Sequence, residues 1–227
     1  MNQPSTQCPH VVIPRSEHSI SRAAISPNAL KVLYRLKEAG YIAYGIDYAC
    51  THRPVEDHGD ALRELVAHLP AATEIYIVCH SMGGLVVRSC LSKDPDPRVK
   101  RIVMLGTPNQ GAEKADFFAD WLLYQGLFGP AGQDLKTTGI AKRLPPLPKG
   151  IEVGVVAGGL ENRLGGFGIS LFLPRDNDGS VSVDYAKLPG MKDFLVLPVH
   201  HTALPWSKRV QDATLRFLET GRFAAAP

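Results

Sequence analysis

The stretch IYIVCHSMGGLVVRSCL, residues 75–91, decides the fold. It begins with β-branched and aromatic residues typical of a buried strand and continues, from Leu85, with residues typical of a helix. Between them lies Ser81, with the small residues Cys79 and Gly83 two positions before and after it. A serine on a tight strand-to-helix turn needs small residues there, because the two backbone segments nearly touch. We therefore predict that Ser81 is the nucleophile of an elbow, rather than only a cap of the following helix.

The elbow differs from the usual pattern G-x-S-x-G at its first position, where Cys79 replaces glycine. A thiol is small and often buried, so the change is mild. The backbone N–H of Met82, the residue after the serine, is predicted to stabilise a developing oxyanion. His80 is expected to pack beneath the turn rather than to react.

Length and charge limit the function classes. The chain has 227 residues, of which 44% are hydrophobic and 21% charged, and we expect one globular domain over residues 1–227. The net charge of +3 comes from 25 basic and 22 acidic residues without a basic block. We therefore expect neither a nucleic-acid partner nor a membrane-surface partner.

The four cysteines form no C-x-x-C pair, which disfavours a zinc site and a disulfide framework and is typical of a reducing compartment. We predict no metal and no cofactor. The N-terminal residues lack a secretory pattern, and no run of about 18 apolar residues occurs that would favour membrane insertion. A cytoplasmic location is the resulting prediction.

Strand and helix patterns alternate along the chain. Strands are predicted at residues 41–46, 75–78, 101–105, 151–157 and 194–199, with a weaker one at 11–13 that ends before Pro14. Helices are predicted from Pro27 to about Gly40, at 61–69, after the elbow and at 207–219. This alternation predicts an α/β fold with a mostly parallel central sheet of about six strands flanked by helices.

Residues 112–145 interrupt the alternation, and four of their aromatic residues fall near one helical face. Plain core packing and a small cap or acyl-pocket wall explain this pattern equally well. If the segment and Trp206 form a cap, short or medium acyl chains should fit better than bulky triacylglycerols.

Catalytic groups gather at the carboxyl ends of the strands in such sheets. Three candidates follow strands of the predicted sheet: Ser81, Asp178 in the turn DNDG, and His200 or His201. The chain order serine, acid, histidine is the order expected of an α/β-hydrolase.

The chain resembles small bacterial esterases and lipases of the α/β-hydrolase superfamily from about Leu30 to its C-terminus. The similar segments are the elbow and the runs VMLGTPNQGAE, DNDGSVSV and LPGMKDFLVLPVHHT. By position, the resemblance implies that Asp178 is the acid in preference to Asp176. It likewise implies that His201 is the base in preference to His200.

These residue types suit nucleophilic catalysis. A serine hydroxyl needs a base within hydrogen-bond reach, which would be His201, and a carboxylate such as Asp178 fixes the tautomer of that base. Because the histidine must be neutral to act as a base, activity should fall on acidification. The resemblance implies a second oxyanion donor on the loop after the first strand, at Ile20 N–H. The polar residues 14–17, however, are not expected to form a buried central strand.

The resulting hypothesis is a serine hydrolase that cleaves a small-molecule carboxylic ester through an acyl-enzyme. One alternative is an acyltransferase that uses the same triad with an acceptor other than water. Another is a non-catalytic binding protein of the same fold with a degenerate oxyanion hole. The sequence contains no pattern that indicates a particular oligomeric state.

Overall fold

The computed structural model describes residues 10–17, 27–49, 53–69, 74–111, 139–159 and 176–224. Their strands form one six-stranded sheet in the order β2-β1-β3-β4-β5-β6, and every neighbouring pair is parallel. The strands are β1 (His10–Glu17), β2 (Ile42–Ala49), β3 (Ile75–His80), β4 (Val99–Leu105), β5 (Glu152–Gly158) and β6 (Asp193–Leu197). All six therefore end at the same edge of the sheet.

Helices connect the strands and cover both faces of the sheet. They are α1 (Pro27–Glu38), α2 (Val55–Ala67), α3 (Gly83–Leu91), α4 (Ile140–Arg143), α5 (Val183–Ala186) and α6 (Lys208–Thr220). A 3₁₀ helix, His201–Trp206, lies between β6 and α6. Among the described residues, no helix is both long and apolar enough to cross a bilayer.

Alternate residues of β3 belong to two separate hydrophobic clusters, because successive side chains of a strand point to opposite faces of the sheet. Ile75 and Ile77 pack with α2 and α3 on one face, whereas Tyr76 and Val78 pack with α1 and α6 on the other. The four side chains are at most 6% exposed. A strand buried on both faces explains why the stretch that decides the fold is apolar without interruption.

The first strand differs from its prediction. β1 runs through Pro14 to Glu17 and lies between β2 and β3, so the prediction that this strand ends before Pro14 is wrong. Its pairing with β3 ends at Val12, whereas its pairing with β2 continues to Glu17. Beyond Val12 the strand is therefore paired on one side only, where a missing proline N–H is tolerated.

The other predicted elements are confirmed with shifted ends. α2 begins at Val55, before the predicted start at residue 61, with Glu56 and Asp57 in its first turn, where carboxylates favour the helix dipole. Of the predicted insertion at 112–145, the described part is residues 139–145, which contain α4. The cap interpretation falls mainly on residues outside the described ranges and stays a prediction.

Candidate active site

Ser81 follows the last residue of β3 and has a positive φ of 54°. Positive φ is uncommon for residues other than glycine and marks a sharp, strained turn. Its backbone N–H donates to the Leu105 carbonyl of the neighbouring strand, at 2.9 Å, which ties the turn to the end of β4. The structure thus has a sharp turn between β3 and α3 at Ser81, and the nucleophile role of this serine stays a prediction.

Behind the turn, the side chain of Thr107 lies directly against the backbone of Gly84. A Cβ atom added there would lie 2.2 Å from the Oγ1 of Thr107, which is fully buried. Thr107 belongs to the loop that follows β4. Because no larger side chain fits at Gly84, this glycine allows α3 to lie close to the loop after β4.

Cys79 occupies the position at which the elbow pattern has glycine. Its side chain is 1% exposed, and its Sγ lies 3.6 Å from the Val103 carbonyl, to which the thiol donates. Burial raises the pKa of this thiol. Cys79 is therefore a neutral packing group, and the β3–β4 pair accommodates it without a break in register at this point.

Ser81, His201 and Asp178 are connected by hydrogen bonds. The Nε2 of His201 lies 2.9 Å from the Ser81 Oγ, and its Nδ1 lies 2.8 Å from the Asp178 Oδ2. The Asp178 side chain is 1% exposed and that of His201 12% exposed. The structure thus brings together the three residues that the sequence analysis singled out, from the ends of β3, β5 and β6.

Asp178 is oriented by the turn in which it lies. Its Oδ1 accepts the backbone N–H groups of Ser180 and Val181, at 2.9 and 2.8 Å, which leaves Oδ2 for the histidine. The Asp178 carbonyl also accepts the N–H of His201, at 2.9 Å. Because Oδ2 faces Nδ1, the proton of a neutral His201 lies on Nδ1, and Nε2 is free to accept the proton of the serine.

Gly106, the residue after β4, leaves room for the side chains of Asp178 and His201. It has a φ of 58°, and an added Cβ atom would lie 3.0 Å from the His201 Nδ1 and 3.2 Å from the Asp178 Oδ2. The sequence analysis missed this role. The available signal was the glycine that directly follows a predicted strand in the run VMLGTPNQGAE.

A buried arginine holds the loop after β4, residues 106–111. The Arg88 guanidinium donates to the carbonyls of Asn109 and Ala141, at 2.8 and 3.0 Å, and its burial lowers its pKa to about 10. The Asn109 side chain in turn donates to the Ala186 carbonyl, at 2.8 Å. These contacts therefore connect the loop with α3, α4 and α5.

Both predicted oxyanion donors stay predictions. Met82 directly follows Ser81 and is the N-cap residue of α3, at a helix start where N–H groups have no intrahelical acceptor. Ile20 lies outside the described residues, so its role stays a prediction. In the part of the chain that the structure describes, no group of three or more His, Cys, Asp or Glu side chains is arranged to hold a metal ion.

Comparison with solved structures shows the class of fold. A Bacillus licheniformis lipase, BlEst2 in its mature form, matches with a TM-score of 0.72 and 21% identity, over 96% of this chain and 93% of that one. The metagenomic carboxyl esterase MGS0156 matches with a TM-score of 0.65 and 20% identity, over 88% and 66%. The chain has the α/β-hydrolase fold, and its structural neighbours include bacterial lipases and esterases.

Sequence comparison adds partial matches, and no protein-family model matches the chain. Human lysosomal thioesterase PPT2 is 29% identical over 92 residues, 36% of this chain and 30% of PPT2. Poly(A) polymerase I of Salmonella typhimurium is 68% identical over 144 residues, 51% of this chain and 31% of the polymerase. The chain spans about a third of the length of these curated relatives, and we carry no activity over from the polymerase.

Proposed function

We propose that this protein is a serine hydrolase that cleaves carboxylic esters of small molecules through an acyl-enzyme on Ser81. The observation that carries the proposal is the hydrogen-bonded series from the Ser81 Oγ through His201 to Asp178, with contacts of 2.9 and 2.8 Å. Esterases and lipases among the structural neighbours support the reaction class. PPT2, a thioesterase, adds the thioester as a substrate type worth testing.

In the first half of the proposed reaction, the Ser81 Oγ attacks the ester carbonyl while the His201 Nε2 takes its proton. The resulting imidazolium is stabilised by Asp178, which stays ionised. The oxyanion accepts a hydrogen bond from Met82 N–H, and a donor of this kind contributes about 3 kcal/mol to lowering the barrier. Collapse of the tetrahedral intermediate breaks the bond to the leaving alcohol, which receives the proton from His201 Nε2.

In the second half, a water molecule attacks the acyl-enzyme. His201 takes one proton from this water and returns it to the Ser81 Oγ as the acyl bond to serine breaks, which releases the carboxylic acid. An acyltransferase would use an alcohol or amine in place of the water, with the same proton transfers. The two activities are separated by whether an added acceptor appears in the product.

A fluorophosphonate probe tests the proposal, because the serine oxygen displaces fluoride from phosphorus only when the base and the oxyanion donors are in place. We expect wild-type protein to be labelled stoichiometrically and to hydrolyse a chromogenic ester, and Ser81→Ala to do neither. His201→Gln should abolish both activities, whereas the matched variant His200→Gln should retain them. Absence of labelling in folded wild-type protein would overturn the proposal and favour a binding protein.

The cytoplasmic location also stays a proposal, supported by the cysteine pattern of the sequence. The two described cysteines, Cys79 and Cys90, are free and buried. Fractionation of cells that express the full protein would test the location.

A further inference from the structure

His80, the last residue of β3, contacts the base of the candidate active site. Its Nε2 lies 3.0 Å from the backbone carbonyl oxygen of His201. The centroids of the two imidazole rings are 4.8 Å apart, with an angle of 42° between their planes. Because a carbonyl oxygen only accepts, His80 donates, and the proton of its ring at this contact lies on Nε2.

The contact completes a set of restraints on His201. Its backbone N–H donates to the Asp178 carbonyl, its carbonyl accepts from His80, and its Nδ1 is paired with the Asp178 carboxylate. His80 is adjacent to Ser81 in the chain, so its side chain connects the strand that carries the nucleophile directly to the residue that acts as base.

We propose that His80 is a positioning residue that holds His201 at hydrogen-bond distance from Ser81 through its Nε2–H bond to the His201 carbonyl. This inference rests on the proposed function. His80 takes no proton in the reaction and acts only through the base. A displacement of a catalytic group by about 1 Å can reduce the rate about 100-fold, so a single well-placed restraint is sufficient to affect catalysis.

Two substitutions separate the hydrogen bond from the ring contact. In His80→Gln, the side-chain amide nitrogen takes nearly the place of Nε2 and donates to the same carbonyl, but the ring is lost. In His80→Phe, a ring of similar width stays against His201, but the donor is lost. We expect kcat for a chromogenic ester to fall about 10- to 100-fold in His80→Phe, with KM nearly constant, and His80→Gln to retain most of kcat.

Active-site titration distinguishes positioning from simple destabilisation. Each variant is titrated with the fluorophosphonate, and kcat is expressed per reactive serine. A variant that only unfolds more easily lowers the number of reactive sites, whereas loss of positioning lowers the rate at each site. Thermal unfolding provides the second readout, and we expect the fall in kcat per site to exceed any effect that the unfolded fraction explains.

Three results would overturn the inference. In the first, His80→Phe keeps the wild-type kcat per reactive serine. In the second, kcat per reactive serine falls as much in His80→Gln as in His80→Phe, which would assign the effect to the ring and not to the hydrogen bond. In the third, folded wild-type protein is not labelled at all, which overturns the proposed function together with this inference. Normal wild-type labelling combined with either of the first two results overturns the positioning role alone.

Discussion

Replacement of Asp178 by asparagine should inactivate the protein by placing a proton on the wrong nitrogen of His201. The Oδ1 of Asp178 accepts two backbone N–H groups, from Ser180 and Val181. In Asp178→Asn the amide oxygen must take this place, because an NH₂ group there would leave both donors unpaired. Each unpaired buried donor costs about 1–3 kcal/mol, so the orientation of the amide is strongly determined.

The amide NH₂ group then occupies the place of Oδ2, 2.8 Å from the His201 Nδ1. Since NH₂ is a donor, Nδ1 must accept, and the ring proton moves to Nε2, where it faces the Ser81 Oγ. In this tautomer His201 cannot take the proton of the serine. A change of this kind in a serine triad lowers kcat about 10⁴-fold, which corresponds to roughly 5 kcal/mol in the activation free energy.

The assay is the steady-state hydrolysis of a chromogenic ester, with kcat expressed per mole of folded protein. Asp176→Asn is the matched control, because it makes the same chemical change two residues earlier in the same turn, and we expect it to stay within a few-fold of wild type. The assignment of the acid to Asp178 would be refuted if kcat fell less than tenfold in Asp178→Asn, or if it fell equally in both variants.

Three further outcomes follow from local contacts of Gly84, Cys79 and Asp96. Gly84→Ala should destabilise the fold by about 1–3 kcal/mol and slow fluorophosphonate labelling, because its methyl group would overlap Thr107; an unfolding midpoint equal to that of wild type would contradict this. The Cys79 thiol, whose pKa burial raises, should resist alkylation in native protein at pH 8 and react after denaturation, as measured by peptide mass spectrometry. The hydrogen bond from Arg98 lowers the pKa of Asp96, so this pair should stabilise the fold at neutral pH and lose its effect as pH falls through the folded-state pKa. Asp96→Asn should therefore cost about 0.5–1 kcal/mol in urea unfolding at pH 7 and less near pH 3, and an equal cost at both pH values would contradict it.

The sequence predicted those parts of the fold whose signals are local. The apolar run of β3 and the small residues around Ser81 are adjacent in the chain, and together they predicted a strand, a turn and a helix that the structure contains. β1 was predicted too short, because the rule that central parallel strands are apolar applies to strands paired along both sides. Beyond Val12, β1 is paired with β2 alone.

Prediction of the candidate site needed both local motifs and residues far apart in the chain. The choice of Asp178 and His201 came from resemblance and chain order, since their neighbours Asp176 and His200 have the same side chains. The contact between His80 and His201 joins residues 121 positions apart, and it depends on the path of the loop after β6, which no local pattern specifies. His80 could therefore be placed near the turn from the sequence, but its partner could not be predicted.

The positive φ of Ser81 implies that the fold is less stable with a serine in this turn than it would be with a glycine. For a side chain other than glycine, this backbone conformation costs about 1–2 kcal/mol, and glycine adopts it freely. Ser81→Gly should therefore give a protein that is inactive yet unfolds at a higher temperature than Ser81→Ala. A glycine would relieve this strain, so under the proposed function the turn exchanges some stability for a hydroxyl group at this position.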